Sequence, residues 1–155
     1  MPASDLEDLY RDILLDHYRN PRNRGRLGAA SCSADGANPL CGDQITLDVT
    51  LDGDRIADIA FDGNGCSISQ ASASMMTEYV KGRSVEEAHD GIQAFQRMMV
   101  EGEPLGEEYG DIEALVGVAK FPVRVKCASL AWKTLEQALS SESARVPVTT
   151  DERSQ

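Results

Sequence analysis

The strictest pattern in the sequence is an alternation of apolar and polar residues from 44 to 51. Its apolar members are Ile45, Leu47, Val49 and Leu51, and its polar members are Gln44, Thr46, Asp48 and Thr50. Such a period of two is typical of a strand with one buried face. Asp52-Gly53 then indicates a hairpin turn. The returning strand is predicted over 55–62, with Ala57, Ile59 and Phe61 on one face, so the chain must build an antiparallel sheet with one face in water.

Helical patterns lie on both sides of this hairpin. Apolar residues recur at helical spacing over 4–18 and 67–81. Ser84 and Glu87 form a capping box that predicts the start of another helix. A last helix is predicted to open at Pro122, at a position that proline tolerates, with Val123, Cys127, Leu130, Ala131, Thr134, Leu135 and Ala138 on one face. Residues 31–36 predict a short strand and residues 112–116 a short helix, whereas the Ser-, Glu- and Thr-rich stretch from 140 onward predicts a disordered tail.

Composition and charge restrict the class of protein. A chain of 155 residues is long enough for one domain with a proper core. Its net charge of −11 argues against a nucleic-acid surface, because phosphate is bound by Lys and Arg. No stretch has the ~18 apolar residues of a membrane helix, and no apolar run opens the chain. The expected compartment is therefore the cytosol, where thiols stay reduced.

Charge is also unevenly distributed along the chain. Residues 19–26 and 120–133 each hold four bases and no acid, whereas residues 101–113 hold six acids and no base. An acidic run of this kind favours a solvated face. The second basic block contains Cys127 between Arg124 and Lys126 on one side and Lys133 on the other, so it is the more informative one.

Three cysteines lie at boundaries between a loop and an apolar segment. They are Cys41, Cys66 and Cys127, in the segments 39–43, 63–66 and 121–127. Three thiols and the carboxylate of Asp43 make four ligands, the number that a tetrahedral zinc ion takes from a protein. Free cysteine is also commonly buried, so three core thiols are the alternative, and the spacing contains no C-x-x-C pair that would decide between them. Cys32 has no comparable surroundings and is interpreted as structural or incidental.

The residues next to the cysteines favour a metal site over three core thiols. Cys66 precedes a predicted helix, where unsatisfied N–H groups and the helix dipole stabilise a thiolate. Gly42 lets the chain bend so that its two neighbours, residues 41 and 43, can face one ion. Asp43 is a hard oxygen ligand among soft sulfurs, which suits a labile arm of such a site.

A family resemblance now rests on these residues. The segments 17–23, 38–43 and 63–66 follow one another as in the U-type iron–sulfur cluster assembly scaffolds, and the match continues through 67–82 and 121–132. It covers roughly residues 5–139 and is specific. The chain is most similar to the SufU branch, since Lys126 stands where IscU-type scaffolds have histidine. An acidic insertion at 101–117 distinguishes it further.

The resemblance implies an α+β fold, in which a small antiparallel sheet packs against several helices within one domain at 1–139. It also implies zinc bound by the residues that match Cys41, Asp43, Cys66 and Cys127. Sulfur would arrive as a persulfide from a SufS-type, pyridoxal-phosphate cysteine desulfurase and pass on to iron–sulfur assembly. The acceptor thiol matches Cys41, and a desulfurase histidine takes over its zinc position during the encounter.

Three functions stay open at this point. The first is a zinc-dependent sulfurtransferase that carries persulfide, with Arg124 and Lys126 either stabilising the persulfide anion or partner carboxylates or simply solvated. The second is a scaffold on which a [2Fe–2S] cluster is built, since three Cys and one Asp can also bind iron. The third is a structural zinc module with unreactive thiols.

Overall fold

A computed structural model describes residues 3–28, 30–39, 42–103, 105–140 and 148–149. The strands are β1 Cys32–Asn38, β2 Asp43–Asp52, β3 Arg55–Asn64 and β4 Val148–Thr149. The first three form an antiparallel meander, and the two-residue β4 pairs in parallel with β1 at its edge, which gives the order β3-β2-β1-β4. The last of these falls in the stretch expected to be disordered; 141–147 and 150–155 lie outside the described residues.

One helix precedes the three-stranded meander, and the other helical segments follow it. They are α1 Ala3–Arg19, α2 Ser67–Val80, α3 Val85–Glu101, a 3₁₀ segment Glu107–Lys120 interrupted at Gly110, and α4 Pro122–Ser140. Ser84 caps α3 with the predicted reciprocal hydrogen bonds to Glu87, and Pro122 opens α4 as predicted. Helix α4 packs on β1 and β2 and against α2. The prediction of an α+β fold, with a small antiparallel sheet against several helices, is confirmed.

The predicted faces of β3 are wrong at one position. Ala57 is exposed, whereas Ile56 is fully buried beside Ile59 and Phe61. The register explains the difference, because Thr50 pairs with Asp58 while the next residue of β2 pairs with Ile56. Ala57 is thus the extra residue of a β-bulge, which shifts the alternation by one position.

Asp48 was predicted to face water, but its side chain is buried on β2. The Nε of Arg26 donates to one carboxylate oxygen at 2.7 Å, and the backbone N–H of Leu27 donates to the same oxygen at 3.1 Å. The Ser33 hydroxyl donates to the other oxygen at 2.6 Å. The connection after α1 therefore covers part of this sheet face, and the buried carboxylate is paired as a buried charge must be.

Asp48→Asn is expected to flatten the acid dependence of stability. Burial raises the pKa of Asp48, but hydrogen bonds from Arg26, Ser33 and the Leu27 N–H outweigh it and hold the pKa below its ordinary value. A depressed pKa contributes stability that is present above about pH 3.9, the unfolded value, and is lost as the pH falls through the folded value. In urea unfolding between pH 7 and pH 2.5, the free energy of unfolding should fall less with acid in the variant than in the wild type. An equal fall in both proteins would contradict this role of Asp48.

A buried polar connection fixes α2 against α4. The Trp132 ring stacks on Phe95 with centroids 4.6 Å apart, and its Nε1 donates to the Ser72 hydroxyl at 3.0 Å. That hydroxyl donates in turn to the Ala128 carbonyl at 2.6 Å. Since Ser72 and Ala128 each lie close to a cysteine in sequence, this connection holds the two cysteine-bearing helix ends in a fixed relation. None of the described helices is long and apolar enough to cross a membrane.

Candidate metal centre

Three residues of the predicted ligand set converge in space. Asp43 begins β2, Cys66 is the N-cap of α2, and Cys127 lies in the second turn of α4. One carboxylate oxygen and the two sulfurs all lie within 4.8 Å of one another. Ligand atoms around one tetrahedral zinc ion are about 3.5–4 Å apart, so the three need only small shifts to bind one ion.

The Asp43 carboxylate is the group in this site that best fits a bound cation. Its side chain is fully buried, and Oδ1 accepts a hydrogen bond from the Cys66 N–H at 2.9 Å. Oδ2 has no hydrogen-bond partner in the described part of the chain. An unsatisfied buried carboxylate oxygen is costly, and a cation would satisfy it. The residues present therefore fit a metal ion.

Glycine is required beside this carboxylate. A Cβ on Gly65 would lie 2.8 Å from Asp43 Oδ1 and 2.9 Å from the Ser69 hydroxyl. The turn before α2 can approach Asp43 only because residue 65 has no side chain. This close approach brings the Cys66 N–H within hydrogen-bonding distance of the carboxylate.

The two described thiols of the site have different surroundings. Cys66 is half-buried, and its Sγ accepts a hydrogen bond from the Ser69 N–H at 3.5 Å. The Cys127 thiol is 1% exposed and donates to the Val123 carbonyl at 3.6 Å. Its sulfur also accepts from the Asn38 side-chain amide at 3.8 Å. Access to the site from solvent is therefore easier on the Cys66 side.

Cys41, the predicted fourth ligand and acceptor thiol, lies outside the described residues. Pro39 and Gly42, the described residues on either side of it, are turn residues, and Gly42 has a φ of +71°. Cys32 is a buried cysteine on β1 and does not belong to the group of converging ligand atoms.

The two bases predicted near Cys127 lie on the first two turns of α4. Arg124 is exposed and Lys126 half-buried, and neither forms an ion pair with any acid that the structure describes. Val123, which was predicted to share the buried face of α4, is instead 57% exposed. The reason is that residues 121–124 are all exposed, so the helix is packed only from its second turn onward.

An open cavity of about 750 Å³ adjoins these helix starts. Its apolar lining comes from α1, the start of α2 and the 3₁₀ segment, and three bases, Arg11, Lys120 and Arg124, also line it. No acid occurs among the lining residues that the structure describes. The surface beside the site is thus apolar with a positive edge.

Sequence reasoning missed a second group of ligand-type residues. His17 is fully buried at the end of α1, where its Nδ1 lies 2.8 Å from the Ser74 hydroxyl. Its Nε2 lies 2.8 Å from Asp111 and 3.9 Å from Glu78. Since both ring nitrogens have close hydrogen-bond partners, His17 connects the 3₁₀ segment to α1 and α2. Asp111 thus pairs with His17, although its side chain stays 44% exposed within the acidic block that was interpreted as a solvated face.

One family model and several known proteins are similar to this chain. The model of the NifU-like N-terminal domain family matches residues 9–147. The zinc-dependent sulfurtransferase SufU of Bacillus subtilis is 50% identical over 145 residues, covering 90% of this chain and 95% of that protein. The iron–sulfur cluster assembly scaffold protein IscU of Streptococcus pyogenes is 46% identical over 154 residues, covering 98% and 95%.

A solved structure agrees with the fold. A proposed iron–sulfur cluster assembly scaffold protein of the SUF system from Fervidobacterium islandicum superposes with a TM-score of 0.77 at 38% identity, covering 83% of this chain and 94% of that one.

Proposed function

The chain belongs to the NifU-like N-terminal domain family, and on that premise we propose that it is a zinc-dependent sulfur carrier. It accepts persulfide sulfur from a SufS-type, pyridoxal-phosphate cysteine desulfurase and passes it on to the iron–sulfur assembly machinery, in the cytosol. The proposal is supported chiefly by the convergence of two thiols with a buried carboxylate oxygen that has no described partner. The similarity to a zinc-dependent sulfurtransferase gives further support.

Four residues would hold the zinc ion: Cys41, Asp43, Cys66 and Cys127. Zinc has no redox chemistry and binds sulfur as thiolate, so it would store deprotonated thiols at neutral pH. Cys66 and Cys127 are fixed by helices, whereas Asp43 is fixed by a hydrogen bond from the Cys66 N–H. The described residues therefore supply three of the four proposed ligands, each held in place by the fold.

Sulfur transfer at Cys41 needs no external oxidant or reductant. The Cys41 thiolate attacks the terminal sulfur of the desulfurase persulfide. A new sulfur–sulfur bond forms on Cys41, the one on the desulfurase breaks, and the desulfurase cysteine leaves as a thiolate. The charge on the resulting persulfide is one unit negative, and Arg124 and Lys126 are the bases that we assign to its electrostatic support or to the partner's carboxylates.

The second candidate is a scaffold for a [2Fe–2S] cluster. The similarity to the Streptococcus pyogenes scaffold protein favours it, and the same ligand set can bind iron. Lys126 counts against it, since the IscU-type pattern has histidine there. A cluster would give visible absorption that survives desalting after anaerobic reconstitution.

The decisive test is a desulfurase assay with and without the chain, paired with metal analysis of the purified protein. We expect faster alanine production from cysteine when the chain is added, and about one zinc per chain. Zinc without any effect on the desulfurase would favour a structural zinc module. Iron with stable visible absorption and no effect on the desulfurase would favour the scaffold.

A further inference from the structure

Asn38 is a buried residue whose side chain contacts the proposed ligand Cys127, although Asn38 is not itself one of the four proposed ligands. It is the last residue of β1, its exposed fraction is 0%, and it stands opposite Asp43 in the β1–β2 register. Its Nδ2 donates a hydrogen bond to the sulfur of Cys127 at 3.8 Å. The two residues are 89 positions apart in sequence, so only the tertiary fold brings this buried amide to the sulfur.

Among the described hydrogen bonds that the proposed ligands accept, this one is distinctive because its donor is a side chain. The Cys66 sulfur accepts from a backbone N–H, that of Ser69, and Asp43 accepts from the backbone N–H of Cys66. Backbone donors stay in place under substitution. The donor to Cys127 belongs to the side chain of residue 38, so a substitution there removes it without changing the backbone.

The chemistry of sulfur gives this contact a consequence. A thiolate is an acceptor only, so a side-chain amide beside it must present its N–H group. Hydrogen bonds to ionised groups are stronger than those between neutral groups, and they favour the charged form. The N–H also draws electron density from the sulfur, which makes the thiolate a weaker nucleophile while leaving it a ligand.

We propose that Asn38 is a positioning residue that holds Cys127 as a retained, unreactive thiolate ligand and so directs sulfur chemistry away from it. This inference rests on the proposed zinc site and sulfur transfer. It explains how one pocket can contain several thiolates and still deliver sulfur to one of them. Cys127 is kept on the metal by a donated hydrogen bond as well as by its burial.

The test uses Asn38→Leu, which keeps the approximate size and removes the donor. Cobalt(II) replaces zinc in the purified chain, because its sulfur-to-metal charge-transfer bands report the electron density on the thiolates. We expect these bands to move to longer wavelength in the variant. In the zinc-loaded protein, iodoacetamide should modify Cys127 about tenfold faster, the size of one hydrogen bond to a charged group. Peptide mapping identifies the modified cysteine.

Thr134→Val is the matched control. Thr134 is a fully buried residue of the same helix as Cys127, and its hydroxyl donates to the Leu130 carbonyl. The control therefore loses a buried polar group without touching the sulfur, and its bands and alkylation rate should equal those of the wild type. Asn38→Ser, whose shorter side chain does not reach the sulfur, replaces the leucine variant if that variant fails to fold.

Two results would overturn the inference, and they are distinguishable. If the wild type shows thiolate–cobalt bands and the Asn38 variants match it in bands and in Cys127 alkylation, the role of Asn38 is wrong while the metal site stands. If the wild type shows no such bands, the proposed site fails together with the inference. A failure of the desulfurase assay alone would leave the cobalt result for Asn38 in place.

Discussion

Cys41→Ala should abolish stimulation of the desulfurase while leaving a folded protein with weakened zinc binding. Cys66 and Cys127 belong to α2 and α4, where packing fixes them. The nearest described residues on either side of Cys41 are the turn residues Pro39 and Gly42, and Gly42 adopts a left-handed conformation. Loss of this thiol removes the proposed acceptor without disturbing a helix. Alanine production with added variant should fall to the rate of the desulfurase alone.

Mass spectrometry of alkylated peptides tests the same assignment directly. After incubation with desulfurase and cysteine, an extra ~32 Da for one sulfur atom should appear on the peptide that contains Cys41. Cys32→Ser is the control, since this buried thiol lies outside the group of ligand atoms. It should keep both zinc and sulfur acceptance. Persulfide found mainly on Cys66 or Cys127 would reverse the roles.

Cys127→Ala should lose metal and stability together, and Cys66→Ala should do the same. Structural zinc in small peptides contributes roughly 10–16 kcal/mol, but this domain has its own core, so the loss here should be smaller. A loss of about 3–5 kcal/mol lowers Tm by roughly 10 °C in a chain of this size. Differential scanning calorimetry, with the zinc content measured on the same samples, checks the expectation.

Removal of zinc from the wild type provides the complementary measurement. Treatment with a chelator should lower Tm by an amount similar to that in the cysteine variants, because both leave Asp43 Oδ2 buried without a cation. Readdition of zinc should restore the wild-type melt but not that of Cys127→Ala. An unchanged melt after demonstrated loss of zinc would contradict a stabilising role of the metal.

The elements were largely predictable because they are encoded locally. The alternation after residue 43, the capping box at Ser84 and the proline at 122 each specify one element without knowledge of the rest. The errors arose where partners from elsewhere decide the outcome. Ala57 is exposed because a register shift between two strands inserts it as a bulge. Asp48 is buried because Arg26 and Ser33 cover and pair it.

In the candidate site, too, locally encoded residues could be predicted and residues placed by distant partners could not. Asp43, Cys66 and Cys127 could be chosen from the turns and helix starts around them, and the structure brings all three together. Asn38 and His17 could not, since their roles come from contacts with residues far away in sequence. The amide of Asn38 meets a sulfur on the last helix, and His17 meets an acid 94 positions later. No local pattern contains either pairing.

The converging residues come from three separate elements of the chain. This determines when the site can first assemble in a newly made chain. Asp43 begins β2, whereas Cys127 lies on α4, the last helix of the described structure. At synthesis rates of about 5–20 residues per second, several seconds separate the appearance of the first residue from that of the last. During that interval Cys66 has no completed pocket. Metal loading at the proposed site is therefore expected to be a late event that follows docking of α4.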